Sequence, residues 1–303
     1  MIKNITNLPA SVHQCLLNIA GETFRPFNEV LQHFAIERFL YRLSRSPNAD
    51  RFVLKGALML SVWSESVSRP TMDIDLLGRI DNSLGAVVSA VKCACRTEVE
   101  DDGMSFSAET VTATRITEEA EYEGVCVRVR ASLGKSRITL QIDVGFGDVV
   151  IPAPCKVTYP GLLDFPLPKL SGYTMESTIA EKFQAMARLG VVNSRMKDFY
   201  DVWMRSRTFD FRAELLAEAV ERAFANRDMP MSTDVAVFSP SFGQLADKQV
   251  QWQGFVSKAR LADAPDAFED VAAAVRAFLE PTVASLTGQR PHPSVWGAPG
   301  PWS

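Results

Sequence analysis

From Phe27 to Leu43 the apolar positions Phe27, Val30, Leu31, Phe34, Phe39, Leu40 and Leu43 recur at mostly three- and four-residue spacing. That is the period of a helix with one face turned to a core. Ser46-Pro47 closes the segment, Phe52-Val53-Leu54 reads as a short strand, Lys55-Gly56 as a tight turn, and Ala57 to Trp63 as a helix. Met72 to Leu76 alternates apolar and acidic residues, which predicts a strand with one buried and one wet face and puts Asp73 and Asp75 together on the wet one. A helix over Ser83 to Cys95 and strands over Thr110 to Ile116, Val125 to Arg130 and Ile138 to Val144 follow, the last carrying Asp143. Beyond the proline-rich stretch from Ile151 to Pro168 the strand signals stop. Helical patterns then occupy Thr174 to Leu189, Met196 to Ser206, Arg212 to Ala225 and Ala267 to Ala284. The tail from Gly288 to Ser303, with its prolines, glycines and two tryptophans, reads as an extended arm that carries no core. The pattern therefore predicts an α+β chain: residues 1–160 as strands and helices, including N-terminal helices, 161–287 as a helical domain, and 288–303 as the tail.

Composition narrows the class without choosing the chemistry. At 303 residues, with 47% hydrophobic and 22% charged positions, the chain can bury a sizeable core, which excludes disorder as the default. A net charge of −4 gives the chain as a whole no electrostatic reason to bind nucleic acid, although Arg128, Arg130, Lys135 and Arg137 concentrate positive charge around two strands. The pattern does not say whether those four share a face. The five scattered cysteines fit a reducing compartment, and the cytoplasm is the expected location. Cys93-Ala94-Cys95 has no histidine nearby to make a zinc site, and His13, His33 and His292 have no triad or metal spacing. No run approaches the ~20 apolar residues of a membrane span, and the first twenty residues lack a signal-type apolar stretch.

The candidate chemistry lies in the acidic strand and the turn before it. Carboxylates at i and i+2 of a strand point to one side with Cα atoms roughly 6 to 7 Å apart, and can hold one or two divalent cations, Mg²⁺ by choice of ligand. Phosphoryl and nucleotidyl transfer need such ions where charge develops on phosphate oxygens. Asp143, anchored by Ile142 and Val144, is the candidate third carboxylate. In Lys55-Gly56-Ala57 a glycine between strand and helix lets backbone amides approach a phosphate. Either feature alone is common; together they make a nucleotide site coherent.

Phe52 to Leu60, Arg69-Pro70-Thr71-Met72-Asp73-Ile74-Asp75-Leu76-Leu77-Gly78, and the later block from Glu181-Lys182 through Arg195-Met196-Lys197-Asp198-Phe199-Tyr200-Asp201 resemble the AbiEii/AbiGii toxin family of nucleotidyltransferases. The resemblance runs from about Arg51 to Trp203. It implies a minimal, polymerase-beta-like nucleotidyltransferase core, a mixed sheet with helices, followed by a helical domain, acting as the toxin of a toxin–antitoxin or phage-defence pair with a cognate antitoxin. It further implies transfer of NMP from NTP to RNA, notably the transfer RNA 3′ end, and a block to translation. On that carry-over Asp73 and Asp75 bind metal, Asp143 is the third acidic position, Lys182 contacts the triphosphate, and Asp198, in preference to Asp201, is the catalytic helix aspartate. Ala57 departs from the serine that many such enzymes place after the turn glycine, which removes one hydroxyl donor to phosphate.

The residues themselves leave other readings open. Lys197 and Asp201 stand at i and i+4, so the second block also suits a solvated helix with weak ion pairs. A protein side chain could replace RNA as the NMP acceptor. A metal-dependent glycosyltransferase would explain Asp73 and Asp75 but not Lys55-Gly56 or Lys182, and a non-catalytic binding module would not need the acidic pair.

Overall fold

The computed structural model of the chain describes residues 7–63, 71–116 and 124–303, so Arg69 and Pro70 of the motif above lie outside the described residues. Two helices come first, α1 (Leu8–Thr23), capped by the Asn7 side chain, and α2 (Phe27–Arg45). The periodicity of α2 predicts a wet face, yet every residue from Val30 to Leu43 is buried. Its polar residues are covered because they have partners on other elements. Arg42 forks both oxygens of Asp102 at 2.6 and 2.9 Å, Arg38 donates to the Pro166 carbonyl at 2.8 Å, and Glu37 accepts from the Leu162 amide at 2.8 Å. Gln32 donates to the carbonyls of Met72 and Thr139, tying the helix to the starts of two central strands.

The sheet is built from β1 (Phe52–Lys55), followed by α3 (Leu58–Trp63), then β2 (Asp73–Gly78), α4 (Leu84–Arg96), β3 (Met104–Ile116), β4 (Gly124–Leu133), β5 (Ser136–Phe146), β6 (Cys155–Thr158) and β7 (Lys169–Gly172). Its order is β3-β4-β5-β2-β1-β7-β6. β2 runs parallel to β5 and β1 parallel to β7, while the other neighbours are antiparallel. The α+β class agrees with the pattern, and the mixed sheet with helices is the one that the family resemblance implies. Alternate residues split the faces: Ile74, Leu76, Val125, Val127, Val129, Leu140, Ile142 and Val144 are at most 2% exposed, and α2 and α4 pack on the sheet. The opposite face keeps the polar residues.

Strand structure does not stop at the proline-rich stretch. β6 and β7 extend the sheet beyond β1, with Val53 and Leu54 in register with Ser171 and Gly172. Their sequences, Cys-Lys-Val-Thr and Lys-Leu-Ser-Gly, have little alternation of their own and owe their conformation to pairing.

The chain divides into two compact units, one running to Asp148 and taking up Pro154–Tyr173, the other made of Val149–Ala153 and Thr174–Ser303. The second unit holds α5 (Met175–Leu189), α6 (Met196–Thr208), β8 (Phe211–Arg212), α7 (Ala213–Ala225), α8 (Pro240–Gly243), α9 (Ala246–Ala259), α10 (Phe268–Leu286) and β9 (Val295–Trp296). Its core is aromatic. Phe183 lies 5.2 and 5.3 Å from Phe224 and Phe238, and Phe199 lies 5.2 Å from Phe268. The tail is part of that core, contrary to the expectation of a coreless arm: β9 pairs with β8, Trp296 is 4% exposed, and its indole donates to the Ser206 carbonyl at 2.6 Å. The glycine- and proline-rich composition outweighed the two tryptophans, which pack on Phe278, Trp302 stacked on its ring and Trp296 edge-on. No described helix is long and apolar enough to cross a membrane.

Candidate active site

Register across the first unit aligns the polar residues that the sequence singles out. Lys55 pairs with Asp75, Asp75 with Asp143, and Asp143 with Cys126, so one row crosses β1, β2, β5 and β4 on a single face. Asp73 stands two residues before Asp75 on that face, opposite Gln141. The structure thus brings Asp73, Asp75 and Asp143 to adjacent parallel strands, about 4.8 Å apart.

The turn fits the row. Gly56 has φ +73, a left-handed conformation that glycine adopts without strain. A Cβ placed there would overlap the Asp75 carboxylate outright and would sit 2.7 Å from its Cγ and 2.8 Å from its Cβ. Glycine is required for both reasons, backbone conformation and the space that Asp75 fills. Ala57 is 5% exposed, so its methyl packs in the core and its backbone is what remains for a phosphate. Lys55 ends β1, and its ammonium lies 2.7 Å from Asp148 and 5.3 Å from the centre of the Tyr173 ring. The Tyr173 hydroxyl also donates to Asp148, at 3.4 Å.

Asp143 shows what the row lacks. Its Oδ2 accepts from Gln141 at 3.0 Å, while its Oδ1 is buried without a hydrogen-bond partner. Burial, then a hydrogen bond to Asp143 and its charge, pushes the Cys126 thiol up to about 11, so it stays protonated beside the carboxylate. Three hard-oxygen carboxylates with one orphaned buried oxygen match the donor set of Mg²⁺ or Mn²⁺. Among the described residues no three acidic, histidine or cysteine side chains already converge on one metal position.

In the second unit Lys182, on α5, lies between two acids of α6, 2.6 Å from Asp198 and 2.8 Å from Asp201. Arg195 also reaches Asp198, at 3.0 Å. Asp198 and Asp201 are 3% and 1% exposed, so the solvated-helix reading does not describe them, although Lys197 faces water. Burial pulls the Lys182 ammonium down, but the charges of Asp198 and Asp201 outweigh it and hold its pKa above the ordinary value. Both candidate aspartates thus grip the same lysine. Asp198 stands in the first turn of α6, where the helix dipole favours its charge.

Asp148, Tyr173 and Gln141 escape sequence reasoning. Asp148 carried a usable signal, an acid after Gly145-Phe146-Gly147 at a strand end. Tyr173 and Gln141 gain their positions from pairing alone.

A sequence profile described as nucleotidyl transferase AbiEii toxin, type IV TA system, matches residues 38–274. No curated protein sequence matches the chain. Among solved structures the chain is similar to JHP933 from Helicobacter pylori, with TM-score 0.49 and 14% identity over 86% of this chain and 94% of that one. It is also similar to a candidate nucleotidyltransferase from H. pylori, with TM-score 0.44 and 14% identity over 87% and 98%.

Proposed function

Since the chain belongs to the AbiEii nucleotidyl transferase toxin family of type IV toxin–antitoxin systems, we propose that it transfers NMP from NTP to the 3′ end of transfer RNA, with Mg²⁺ held by Asp73, Asp75 and Asp143, and so blocks translation. The observation that carries this reading is the carboxylate row, packed against the Gly56 turn and containing a buried oxygen with no partner. A divalent cation there neutralises the acids and stabilises charge developing on the phosphate. The acceptor hydroxyl oxygen bonds to the α-phosphorus, the bond to pyrophosphate breaks, and the hydroxyl proton passes to water. The Gly56 turn positions the triphosphate through backbone amides; in the second unit Lys182, paired with Asp198 and Asp201, is the lysine to which the family resemblance gives a triphosphate contact. The antitoxin partner and a location in the cytoplasm belong to the same proposal.

Induced expression in a bacterial host tests it. Growth arrest with extra nucleotides on transfer RNA 3′ ends is expected, with both effects lost in folded Asp73→Ala and Asp75→Ala variants. Arrest that persists in those variants would refute it, and label on protein would move the acceptor to a side chain.

A further inference from the structure

The polar face that carries the carboxylate row continues along β4 and β5 as a run of cations. Arg128 pairs with Gln141, Arg130 with Thr139, and Ser132 with Arg137. Paired residues share a face, so all six lie on the side of Asp143. Arg128, Arg130, Arg137 and Thr139 are exposed. At ~3.3 Å per residue the three arginines stand roughly 7, 13 and 20 Å from Asp143 along the strands. Outside its bulge, β3 adds Ser105, Ser107, Thr112 and Thr114 to the same face through its pairing with β4. On the paired positions of these three strands Asp143 is the one carboxylate of the face; the nearby exposed Glu109, in the bulge, is taken up by Arg96.

Solubility alone asks for a wet sheet face of mixed charge. This one has guanidinium, hydroxyl and amide donors and ends at the acids of the proposed metal site. We infer that the open face of β3, β4 and β5 binds the phosphate backbone of the RNA acceptor, with Arg128, Arg130 and Arg137 spaced along about 20 Å of it, so that the chain's terminal hydroxyl is delivered to Asp73, Asp75 and Asp143. The inference rests on the RNA-directed reading above. Arginine, serine and threonine are phosphate-contacting side chains, and such contacts position a nucleic acid without reading its sequence. An acidic protein segment would meet the same cations, but the carboxylates at the end of the run would repel it. A nucleic acid presents a neutral hydroxyl there.

The test compares Arg128→Gln/Arg130→Gln/Arg137→Gln with a control of equal charge change on the second unit, Arg188→Gln/Arg222→Gln/Lys258→Gln. All six residues are exposed, and a melting curve checks folding. Filter binding of unfractionated transfer RNA across KCl concentrations gives the slope of log affinity against log salt. Each phosphate contact to a single strand contributes about 0.7 to that slope, so the β4–β5 variant should lose about 2 and raise KM for transfer RNA by about tenfold or more. The control should match wild type. An unchanged slope and KM, with wild type still labelling RNA, would overturn the inference and leave the functional reading standing. So would competition by poly-glutamate as effective as that by RNA. Arginine-dependent binding without any labelling of RNA would instead overturn the functional reading.

Discussion

Replacing Gly56 by alanine probes the contact between the turn and the acidic strand, and its cost can be worked from the geometry. At φ +73 a residue with a Cβ pays roughly 1 to 2 kcal/mol for the left-handed conformation. The added methyl meets the Asp75 carboxylate, which can rotate away, but it also sits 2.8 Å from the Asp75 Cβ, which is fixed to the β2 backbone. Relief requires a shift of the turn or strand by some tenths of an ångström, an overpacking cost of about 1 to 3 kcal/mol. The sum is a loss of about 2 to 5 kcal/mol in urea unfolding. The same substitution in an Asp75→Gly background should cost only the conformational part, leaving the overpacking part, about 1 to 3 kcal/mol, as the coupling in the double-mutant cycle. Displacing Asp75 should also lower nucleotidyl transfer on the order of a hundredfold, the effect of a ~1 Å misplacement at a reacting centre. A Gly56→Ala protein within 0.5 kcal/mol of wild type, or one with no coupling to position 75, would show that the turn and the carboxylate do not hold each other.

Lys182→Met leaves Asp198 and Asp201 buried without their shared cation, and urea unfolding should register a loss of about 3 to 5 kcal/mol; adding Asp201→Asn should recover at least ~1 kcal/mol of it. Two buried groups of α2 set opposed pH slopes. Burial lowers His33 from 6.5 to about 4, so its share of stability is present above pH 6.5 and is lost as pH falls toward 4; burial raises Glu37 from 4.5 to about 7, so its share is present below pH 4.5 and is lost as pH rises toward 7. The two nearly cancel in the wild type, so Glu37→Gln should make stability rise by about 2 to 3 kcal/mol from pH 4.5 to 6.5, and His33→Gln should make it fall by a similar amount. Parallel curves for all three proteins would contradict the assignment. Trp296→Ala should cost about 3 to 4 kcal/mol in thermal or urea unfolding, since it empties a site against Phe278 and breaks the bond to Ser206; a neutral outcome would return the tail to the status of a loose arm.

The parts of the site that the sequence reveals are those whose local pattern is strong. Alternation exposes Asp73 and Asp75, and the strand–glycine–helix sequence marks Lys55 and Gly56, because strand period and turn conformation are properties of a few adjacent residues. What stayed hidden depends on residues far apart in the chain. β7 carries one large apolar residue in four and becomes a strand because β1 offers it an edge. The alignment of Asp143 with Asp75, and the common face of Arg128, Arg130 and Arg137, follow from register, which no single strand encodes. Asp201 looked like an exposed partner of Lys197; packing α6 against α5 turned it inward to Lys182.

Metal-dependent nucleotidyl transfer to RNA by the aligned carboxylates can be assayed with purified components. Incubating purified protein with total transfer RNA, Mg²⁺ and each α-labelled NTP in turn, beside Asp75→Ala, tests it most directly. Label on RNA is expected with at least one NTP, abolished by chelation and by the substitution. Undiminished labelling by folded Asp75→Ala, or none by folded wild type with any NTP, would contradict it.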